Sequence, residues 1–247
     1  MDYFGKQYRV NISWKIENLS KRAGFSFSQI QKFDRINHMV TIFYESIRKL
    51  DEEAVYDRCY NSLSAYRREK ADKVKFPEDK KRSVAAGMLL NRGLSEYGLR
   101  ECDMVYGTNQ NGKPHFREYP QIRFSLSHSG EYVMAAFSDM EIGCDIQQME
   151  QTNLKIARRF FAPEEYAYVI DQDEASAQEE AFYRIWVLKE SFLKALGTGM
   201  ALSMTDFAIQ IQDDRVIGVR QNVNNKKYSF EEYDLIKGYK AACCVEM

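Results

Sequence analysis

The sequence has few of the residues that interrupt regular structure, with 13 glycines and 4 prolines among 247 residues. It also has no excess charge of either sign, since 35 Lys and Arg residues balance 36 Asp and Glu residues. The low Gly and Pro content excludes collagenous and low-complexity chains, and the balanced charge gives no general affinity for nucleic acid. With 45% apolar residues, the chain can bury the core of one large domain or two smaller ones.

Long apolar runs are absent as well. The longest stretch without a charged or strongly polar residue is about 84–90, far shorter than the ~20 residues that a membrane-spanning helix needs. The first thirty residues carry charges throughout and lack the apolar centre of a secretory signal. Five cysteines without a C-x-x-C spacing, and only three histidines, argue against a disulfide framework and a zinc site. We therefore expect a soluble, cytoplasmic protein with no membrane partner.

Residues 1–38 show no periodic hydrophobic pattern, and we expect an N-terminal extension of this length. Three interpretations stay open for it: an ordered cap, a disordered tail, or sequence upstream of a true start at Met39. The run M-V-T-I-F-Y at 39–44 follows directly and is typical of a first strand.

Beyond residue 38, a similar order of helices and strands occurs twice. Helices are predicted at 77–97, 153–161 and about 177–196, and strands at 39–44, 124–129, 132–137, 142–147, 207–211, 227–235 and 239–245. We predict an α+β fold of two similar lobes related by a pseudo-twofold axis, each with antiparallel strands packed on a long helix. The lobes are expected at 39–142 and 143–247. Their cleft is the natural ligand site.

Positive charge is concentrated in R-R-E-K at 67–70 and K-K-R-S at 80–83. On charge alone, a solvated helix face is the simpler interpretation. The alternative is an electrostatic clamp for phosphate groups, in which guanidinium and ammonium groups converge with the Ser83 hydroxyl.

The segment F-S-L-S-H-S-G at 124–130 places hydroxyls and a histidine at the end of an apolar strand. Such a loop can present N–H, hydroxyl and imidazole groups to an anion, although a polar turn with a satisfied histidine explains it too. A Ser/His pair also suggests a hydrolase, but adjacent residues on a strand point to opposite faces. Ser127 and His128 are therefore badly placed to bond each other, and we reject that function.

An aspartate in an apolar strand, Asp145 in G-C-D-I at 143–146, needs a cation or hydrogen bonds to be buried as an anion. On the long helix, Trp186, Glu190 and Lys194 are each four residues apart and share one face. A surface Glu–Lys pair with Trp186 in the core is the simpler interpretation of that helix by itself. A strand Asp with a helix Glu is also a usual way of holding Mg²⁺.

The order and spacing of these segments resemble the Sfp-type 4′-phosphopantetheinyl transferases, whose signature is a G-x-D strand followed about forty residues later by W-x-x-K-E-x-x-x-K. Both parts are present, as Gly143-Cys144-Asp145 and then Trp186, Lys189, Glu190 and Lys194. Other segments fall in the family's order: R-E-K at 68–70, R-S at 82–83, G-K-P at 112–114, S-H-S-G at 127–130 and R-F-F at 159–161. The likeness runs from about Met39 to the C-terminus.

The resemblance implies that coenzyme A binds between the lobes together with Mg²⁺. It implies contacts to the 3′-phosphate and adenine side from Arg67, Lys70, Arg82, Ser83 and Lys113, and contacts to the phosphates from Ser127, His128 and Lys189. Asp145 and Glu190 match the magnesium ligands, and Glu165 matches a further acidic position near the family's active site. A single chain that carries both lobes implies a monomer.

The implied reaction transfers the phosphopantetheine arm of coenzyme A to a serine of an apo acyl or peptidyl carrier protein and releases 3′,5′-ADP. Glu190 is the candidate base for the serine proton and Lys194 the group that neutralises the departing phosphate. Arg159, Phe160 and Phe161 are candidates for docking the carrier, although a core role is equally open for the phenylalanines. Carriers of fatty acid, polyketide and nonribosomal peptide synthesis remain alternatives.

One departure from the family pattern concerns the metal. Many bacterial members read G-x-D-x-E, whereas this chain has Gln147 at the third position. Either the Gln147 carbonyl or a water must then complete the metal's ligand shell. The same residue supports an alternative function, a non-catalytic coenzyme A or carrier-binding module of the same fold. A generic nucleotide-binding protein is disfavoured, because no Walker loop or G-x-G-x-x-G is present.

Overall fold

The computed structural model describes residues 30–35, 38–151 and 154–247. The expected extension at 1–38 lies outside these residues except at its end. There, strand β1 (Ile30–Arg35) pairs antiparallel with β2 (His38–Ser46), from Ile30 opposite Phe43 to Arg35 opposite His38. The sequence pattern gave no sign of the strand at Ile30–Arg35, because an edge strand needs only backbone partners and no hydrophobic period.

The N-terminal lobe is an antiparallel sheet packed on a long helix. Its elements are α1 (Glu53–Asn61), α2 (Ala65–Asp72), α3 (Pro77–Ser95), β3 (Tyr106–Thr108), β4 (Pro114–Phe116), β5 (Arg123–Ser129) and β6 (Tyr132–Ser138). The sheet order is β1-β2-β6-β5, and β3 and β4 form a separate hairpin. As predicted, Pro77 begins α3, with Glu78 and Asp79 in the first turn, where acids favour the helix dipole.

The C-terminal lobe repeats the arrangement. Its elements are β7 (Ile142–Gln148), α4 (Leu154–Phe160), α5 (Pro163–Ile170), α6 (Ala175–Leu196), β8 (Ala208–Gln212), β9 (Arg215–Arg220), β10 (Tyr228–Tyr233) and β11 (Tyr239–Glu246). Helix α6 packs on the antiparallel sheet β10-β11-β7 and ends at Gly197, which has φ 68°. Such a left-handed residue commonly ends a helix. The predicted α+β fold with two lobes is confirmed.

The two lobes meet where β5 lies beside β7. Alternate serines of β5 accept backbone N–H groups of β7: Ser125 from Cys144 at 3.0 Å, Ser127 from Ile146 at 3.3 Å and Ser129 from Gln148 at 3.0 Å. The side chains of residues two apart on a strand point the same way, so the S-L-S-H-S pattern lines one edge with hydroxyls.

We propose the lobe boundary in the turn at 139–141, since β7 already begins at Ile142.

None of the helices in the described residues is long and apolar enough to cross a membrane.

Candidate active site

A cavity of about 900 Å³ lies against one face of α6. Trp186, Glu190 and Lys194 line it together, as their spacing predicts. The remaining wall comes from the 111–114 loop, from β5 at 124–126, from Phe160, and from the 199–206 segment after α6. Most of these groups are apolar, and electrostatic interactions of the few charged ones are stronger beside such a surface than in bulk water.

Asp145 is buried next to this cavity, with a relative exposure of 1%. Its Oδ1 accepts from the Ser127 hydroxyl at 2.6 Å and from the Lys194 ammonium at 2.6 Å. Its Oδ2 accepts from the Gln147 side-chain amide at 3.2 Å. A buried carboxylate therefore has a cation and two neutral donors, the compensation that burial of an anion requires.

Lys194 joins Asp145 to the cavity. Its ammonium also donates to the Cys144 carbonyl at 3.1 Å, and its side chain keeps 29% of its surface exposed. Burial is the largest single effect on the pKa of Lys194 and lowers it, but the charge and hydrogen bond of Asp145, with Cys144 and Glu190, together outweigh burial, so the pKa is raised. An ammonium has three protons, and the two hydrogen bonds of Lys194 to described residues use two of them, so the third is available to a ligand anion.

Glu190 lines the cavity one helical turn before Lys194. Burial raises the pKa of its carboxyl, the charge of Asp145 raises it further, and Lys194 acts in the opposite direction. Two carboxylates that disfavour each other's charge are a suitable environment for a divalent cation.

The described residues contain no group of three or more His, Cys, Asp and Glu side chains that could hold a metal by themselves. Mg²⁺ does not need such a group, because it is usually bound by one or two carboxylates with water and substrate phosphate oxygens. Asp145, Glu190 and the Gln147 amide supply two carboxylates and one neutral oxygen donor. This donor set fits Mg²⁺.

Arg82 and His128 lie together near the lobe boundary. Arg82 donates to the Gly130 carbonyl at 2.5 Å and to Asp79 at 2.8 Å. The pKa of His128 is lowered, first because burial removes water from its ring and then because of the cations Arg82 and Lys194. This cationic neighbourhood suits a bound phosphate, and the neutral imidazole retains one N–H donor.

The structure brings Arg67 and Ser83 together but leaves Lys70 apart. Arg67 is only 8% exposed, donates to the Ser83 carbonyl at 2.7 Å, and has its pKa lowered by burial. Lys70 is exposed, with its ammonium 5.6 Å from the centre of the Tyr66 ring. None of the three lines the 900 Å³ cavity.

Lys189 faces away from the cleft. Its side chain has 0% exposure, and its ammonium donates to both Glu165 oxygens at 2.7 and 2.6 Å and to the Phe207 carbonyl at 2.9 Å. The structure thus contradicts the expected phosphate contact of Lys189 and the expected place of Glu165 near the ligand. Successive helix residues differ by about 100° in direction, so Lys189 enters the lobe core while Glu190 faces the cavity.

Comparison with known proteins agrees with these features. The 4′-phosphopantetheinyl transferase superfamily matches residues 141–244. The 4′-phosphopantetheinyl transferase ffp of Bacillus subtilis is 33% identical over 198 residues, which cover 80% of this chain and 88% of the relative. The 4′-phosphopantetheinyl transferase Sfp of Bacillus subtilis (strain 168) is 31% identical over 189 residues, covering 76% and 84%. The chain belongs to the Sfp-type 4′-phosphopantetheinyl transferases.

The transferase modifies carrier proteins with 4′-phosphopantetheine, and coenzyme A and a carrier protein are its substrates. The predicted family and activity are thereby confirmed. Among solved structures, the holo-acyl-carrier-protein synthase (AcpS) of Thermotoga maritima overlaps 43% of this chain and 62% of its own, at 21% identity and a TM-score of 0.36.

The transferase exposes part of α4 near the cavity. Arg158 and Arg159 are exposed, and Ile156 keeps 39% of its surface in solvent. Phe160 is half-buried against Trp186 and lines the cavity. Phe161 is instead 3% exposed and stacks on Phe182, because it lies on the core side of the helix end. Of the two roles left open for the phenylalanines, Phe161 therefore takes the core role.

Sequence reasoning missed two parts of the site. One is the apolar wall after α6, which includes Leu202 and Met204. The other is the pair Asn109 and Asn111, which contact the end of α6. Nothing in the local sequence distinguishes Leu202 and Met204 from apolar residues of the core. The N-x-N-G-K-P segment at 109–114 does predict a tight turn, because Asn and Gly favour such turns.

Removing the buried ammonium of the transferase is expected to destabilise the fold. In Lys189→Met, the Glu165 carboxylate keeps the N–H groups of Ala162 and Ile209 but loses its cation. We expect a loss of about 3–5 kcal/mol in the free energy of unfolding, the usual cost of leaving one buried partner unpaired. Urea titration measures it. Lys70→Met, at an exposed lysine, is the matched control and should change the free energy of unfolding by less than about 0.5 kcal/mol. Equal stability of the two variants would contradict a stabilising role of the buried Lys189–Glu165 pair.

Proposed function

We propose that Glu190, Lys194 and Asp145 form the reaction centre of the transferase and that it works with Mg²⁺. The observation that supports this most strongly is the buried Asp145 carboxylate, held 2.6 Å from the Lys194 ammonium, directly beside a cavity that Glu190 lines. Charged groups beside a mostly apolar surface act more strongly on a phosphate ester than they would in water. Phosphoryl transfer asks a protein chiefly for such positioning and charge neutralisation.

In the proposed reaction, the carrier serine oxygen attacks the β-phosphorus of coenzyme A. A bond forms between the serine oxygen and that phosphorus, and the bond from phosphorus to the bridging pyrophosphate oxygen breaks, so 3′,5′-ADP leaves. Glu190 takes the serine proton, and its raised pKa brings it closer to the strength of an effective base. Lys194 uses its remaining proton to neutralise the departing phosphate.

The other polar residues hold the substrate. Arg82 and His128 provide a cationic patch for the phosphates on the N-terminal side, and Arg67, Lys70 and Ser83 stay candidates for the 3′-phosphate and adenine side. Ser127 acts through Asp145, to which it donates at 2.6 Å.

Asp145 and Glu190 would hold Mg²⁺, with Gln147 or a water as a further ligand, and the bound ion would neutralise the negative charge that grows on the pyrophosphate oxygens. The protein by itself offers few donors, so substrate oxygens and waters must complete the shell of ligands around the ion.

Both walls of the cleft come from one chain, and we propose a monomer. Its five free cysteines suit a reducing compartment such as the cytoplasm.

The proposal is tested by incubating the protein with coenzyme A, Mg²⁺ and an apo carrier protein and weighing the carrier by intact mass spectrometry. We expect a gain of one phosphopantetheine that disappears with EDTA and with Asp145→Ala. Parallel reactions with acyl and peptidyl carriers identify the preferred class. No gain with any carrier, while coenzyme A still binds, would favour the non-catalytic binding module instead.

Charge reversal on α4 is expected to affect the carrier alone. The exposed Arg158 suits an acidic carrier surface. Arg158→Glu should therefore raise the KM for the carrier about tenfold, because it replaces an attractive charge at the rim of the interface with a repulsive one. The KM for coenzyme A should stay unchanged. Arg215→Glu, at an exposed arginine of β9, is the matched control. An equal effect of both variants would indicate general charge and not a docking surface.

A further inference from the structure

A fully buried carboxylate lies beneath the first turn of α2. It belongs to Glu101, which is 0% exposed and begins the short 3-10 helix Glu101–Asp103 after α3. The backbone N–H of Glu101 donates to the side-chain oxygen of Asn91 on α3 at 2.9 Å. Glu101 is not among the residues that line the 900 Å³ cavity, and no step of the proposed reaction uses it. The long helix of the N-terminal lobe thus anchors an acidic group whose role is open.

The Glu101 carboxylate fixes the start of α2. Its Oε2 accepts the backbone N–H of Ser64 at 2.7 Å, and its Oε1 accepts the Ser64 hydroxyl at 2.6 Å. Ser64 caps α2, because its hydroxyl oxygen in turn accepts the backbone N–H of Arg67 at 3.2 Å. Such a cap satisfies one of the free N–H groups in the first turn of a helix. Glu101 therefore holds the cap, and the cap holds Arg67.

A second route leads from Glu101 to Lys70. The Tyr106 hydroxyl donates to Glu101 Oε1 at 2.7 Å, and the Tyr106 ring stacks on the Tyr66 ring with their centres 4.3 Å apart. The Lys70 ammonium lies 5.6 Å from the centre of the same Tyr66 ring, a distance at which an aromatic face attracts a cation. Glu101 thus also supports, through two tyrosines, a lysine on the next turn of α2.

Arg67 contacts α3 directly after Arg82, which belongs to the cationic patch that suits a bound phosphate. The Arg67 guanidinium donates to the carbonyl of Ser83 at 2.7 Å. Its Nε is buried and makes no hydrogen bond with any residue that the structure describes, although a guanidinium has five N–H donors. Burial lowers the pKa of Arg67, and the charge of Glu101 is among the effects that oppose burial. Glu101 therefore helps to keep a buried cation beside the patch.

We propose that Glu101 is a positioning residue for the binding of coenzyme A. It fixes α2 through Ser64 and Tyr106. It thereby holds Arg67 and Lys70 in place for the 3′-phosphate and adenine side of the substrate. The inference rests on the proposed place of Arg67 and Lys70 in the coenzyme A site. It assigns to Glu101 an effect on the affinity for coenzyme A and not on the chemical step, because α2 carries no residue of the reaction centre.

The charge of Glu101 and its positioning role predict opposite changes in affinity. Removing a negative group near a phosphate site makes the potential there more positive, which by itself should tighten the binding of an anion. Loss of positioning should weaken binding, because Arg67 and Lys70 no longer meet the phosphate in a fixed geometry. The direction of the change in Kd for coenzyme A in Glu101→Gln separates the two effects.

The test compares Glu101→Gln with the double variant Ser64→Ala with Tyr106→Phe. Glutamine has one oxygen where the carboxylate has two, and its amide would face other donors. The double variant keeps the charge of Glu101 and removes both hydroxyl donors. In both, the KM and the calorimetric Kd for coenzyme A should rise about tenfold, as expected when a charge-assisted hydrogen bond to a phosphate is weakened. The kcat at saturating coenzyme A should change less than about twofold.

Two further measurements sharpen the test. Dephospho-coenzyme A lacks the 3′-phosphate, so the rise in Kd should be smaller with this ligand. Tyr60→Phe is the matched control, because the Tyr60 hydroxyl also donates to a carboxylate, that of Asp72 at the other end of α2, at 2.8 Å in an exposed bond. It should leave the Kd unchanged. If Glu101→Gln fails to fold, the double variant carries the test, since it retains the carboxylate and its bond from the Ser64 N–H.

Arg67→Ala, measured in parallel, separates the inference from the proposed site. If Arg67→Ala raises the Kd tenfold and Glu101→Gln leaves it unchanged or lowers it, the positioning role of Glu101 alone is overturned. If Arg67→Ala leaves the Kd unchanged, the place of Arg67 in the site is wrong and the inference falls with it. A fall in kcat with an unchanged KM for coenzyme A in Glu101→Gln would also overturn it. Failure of the proposed reaction is seen separately, as absence of transfer by the wild-type protein, while calorimetry still reports on Glu101.

Discussion

Replacing Glu190 by Gln is expected to lower kcat for phosphopantetheine transfer by about 10²- to 10⁴-fold, the usual contribution of a positioned general base. The substitution keeps the shape of the side chain but removes the charge that accepts the serine proton and that contributes to cation binding. Coenzyme A should bind with a similar Kd, because Arg82 and His128 on the other lobe are unchanged. The fold should persist, since the Glu190 side chain makes no hydrogen bond with any residue that the structure describes.

The measurement is transfer to an apo carrier, with coenzyme A binding followed by calorimetry. Glu179→Gln applies the same change three helical turns earlier on α6, outside the residues that line the cavity, and should retain full activity. If Glu190→Gln transfers phosphopantetheine as fast as wild type, Glu190 is neither the base nor an essential metal ligand.

Replacing Gly143 by Ala is expected to separate α6 from β7. A Cβ at this position would lie 1.9 Å from the Ser191 carbonyl oxygen and 2.4 Å from the Ala195 nitrogen, both backbone atoms of α6. Backbone of a packed helix cannot yield as a side chain can, so the helix itself must move. We expect a loss of about 3 kcal/mol or more in the free energy of unfolding, and loss of transfer activity in the folded fraction as Lys194 moves away from Asp145.

Urea titration and transfer assays of Gly143→Ala measure both effects. Gly87→Ala is the control: its Cβ would lie 2.7 Å from the Leu63 Cδ2 atom, the movable end of a side chain, and Ala is the better helix former. It should cost far less stability. Wild-type stability and activity in Gly143→Ala would show that α6 and β7 do not need this close approach.

Much of the fold follows from local signals in the chain. The helix at 77–95 carries its own start in Pro77 and the acids after it, and α6 ends at Gly197 as expected. The strands β5 and β6 are also indicated by local sequence, β5 by the alternation of apolar and polar residues and β6 by a short apolar run. Strand β1 was missed, because pairing at a sheet edge depends on the backbone of β2 and leaves little trace in side-chain pattern.

The site was predictable only in part. Helical spacing by itself indicates that Trp186, Glu190 and Lys194 face one way, and the structure places all three on one cavity wall. The cost of burying an isolated carboxylate indicates that Asp145 must have a cation, but not which one. Lys194 is that cation, 49 residues away along the chain.

By itself, the sequence determined the long helices α3 and α6, the strands β5, β6 and β7, the order of the two lobes, the family signature and the face of α6 that lines the cavity. Each of these depends on neighbouring residues and their period. Only the tertiary structure decided what each lysine does. Lys189 is neutralised by Glu165 inside the lobe, Lys113 bonds to Glu141, Ile142 and Ala195 at the lobe boundary, and Lys194 pairs with Asp145. An ammonium binds whatever acceptors surround it, and those acceptors come from segments that meet only when the chain is folded.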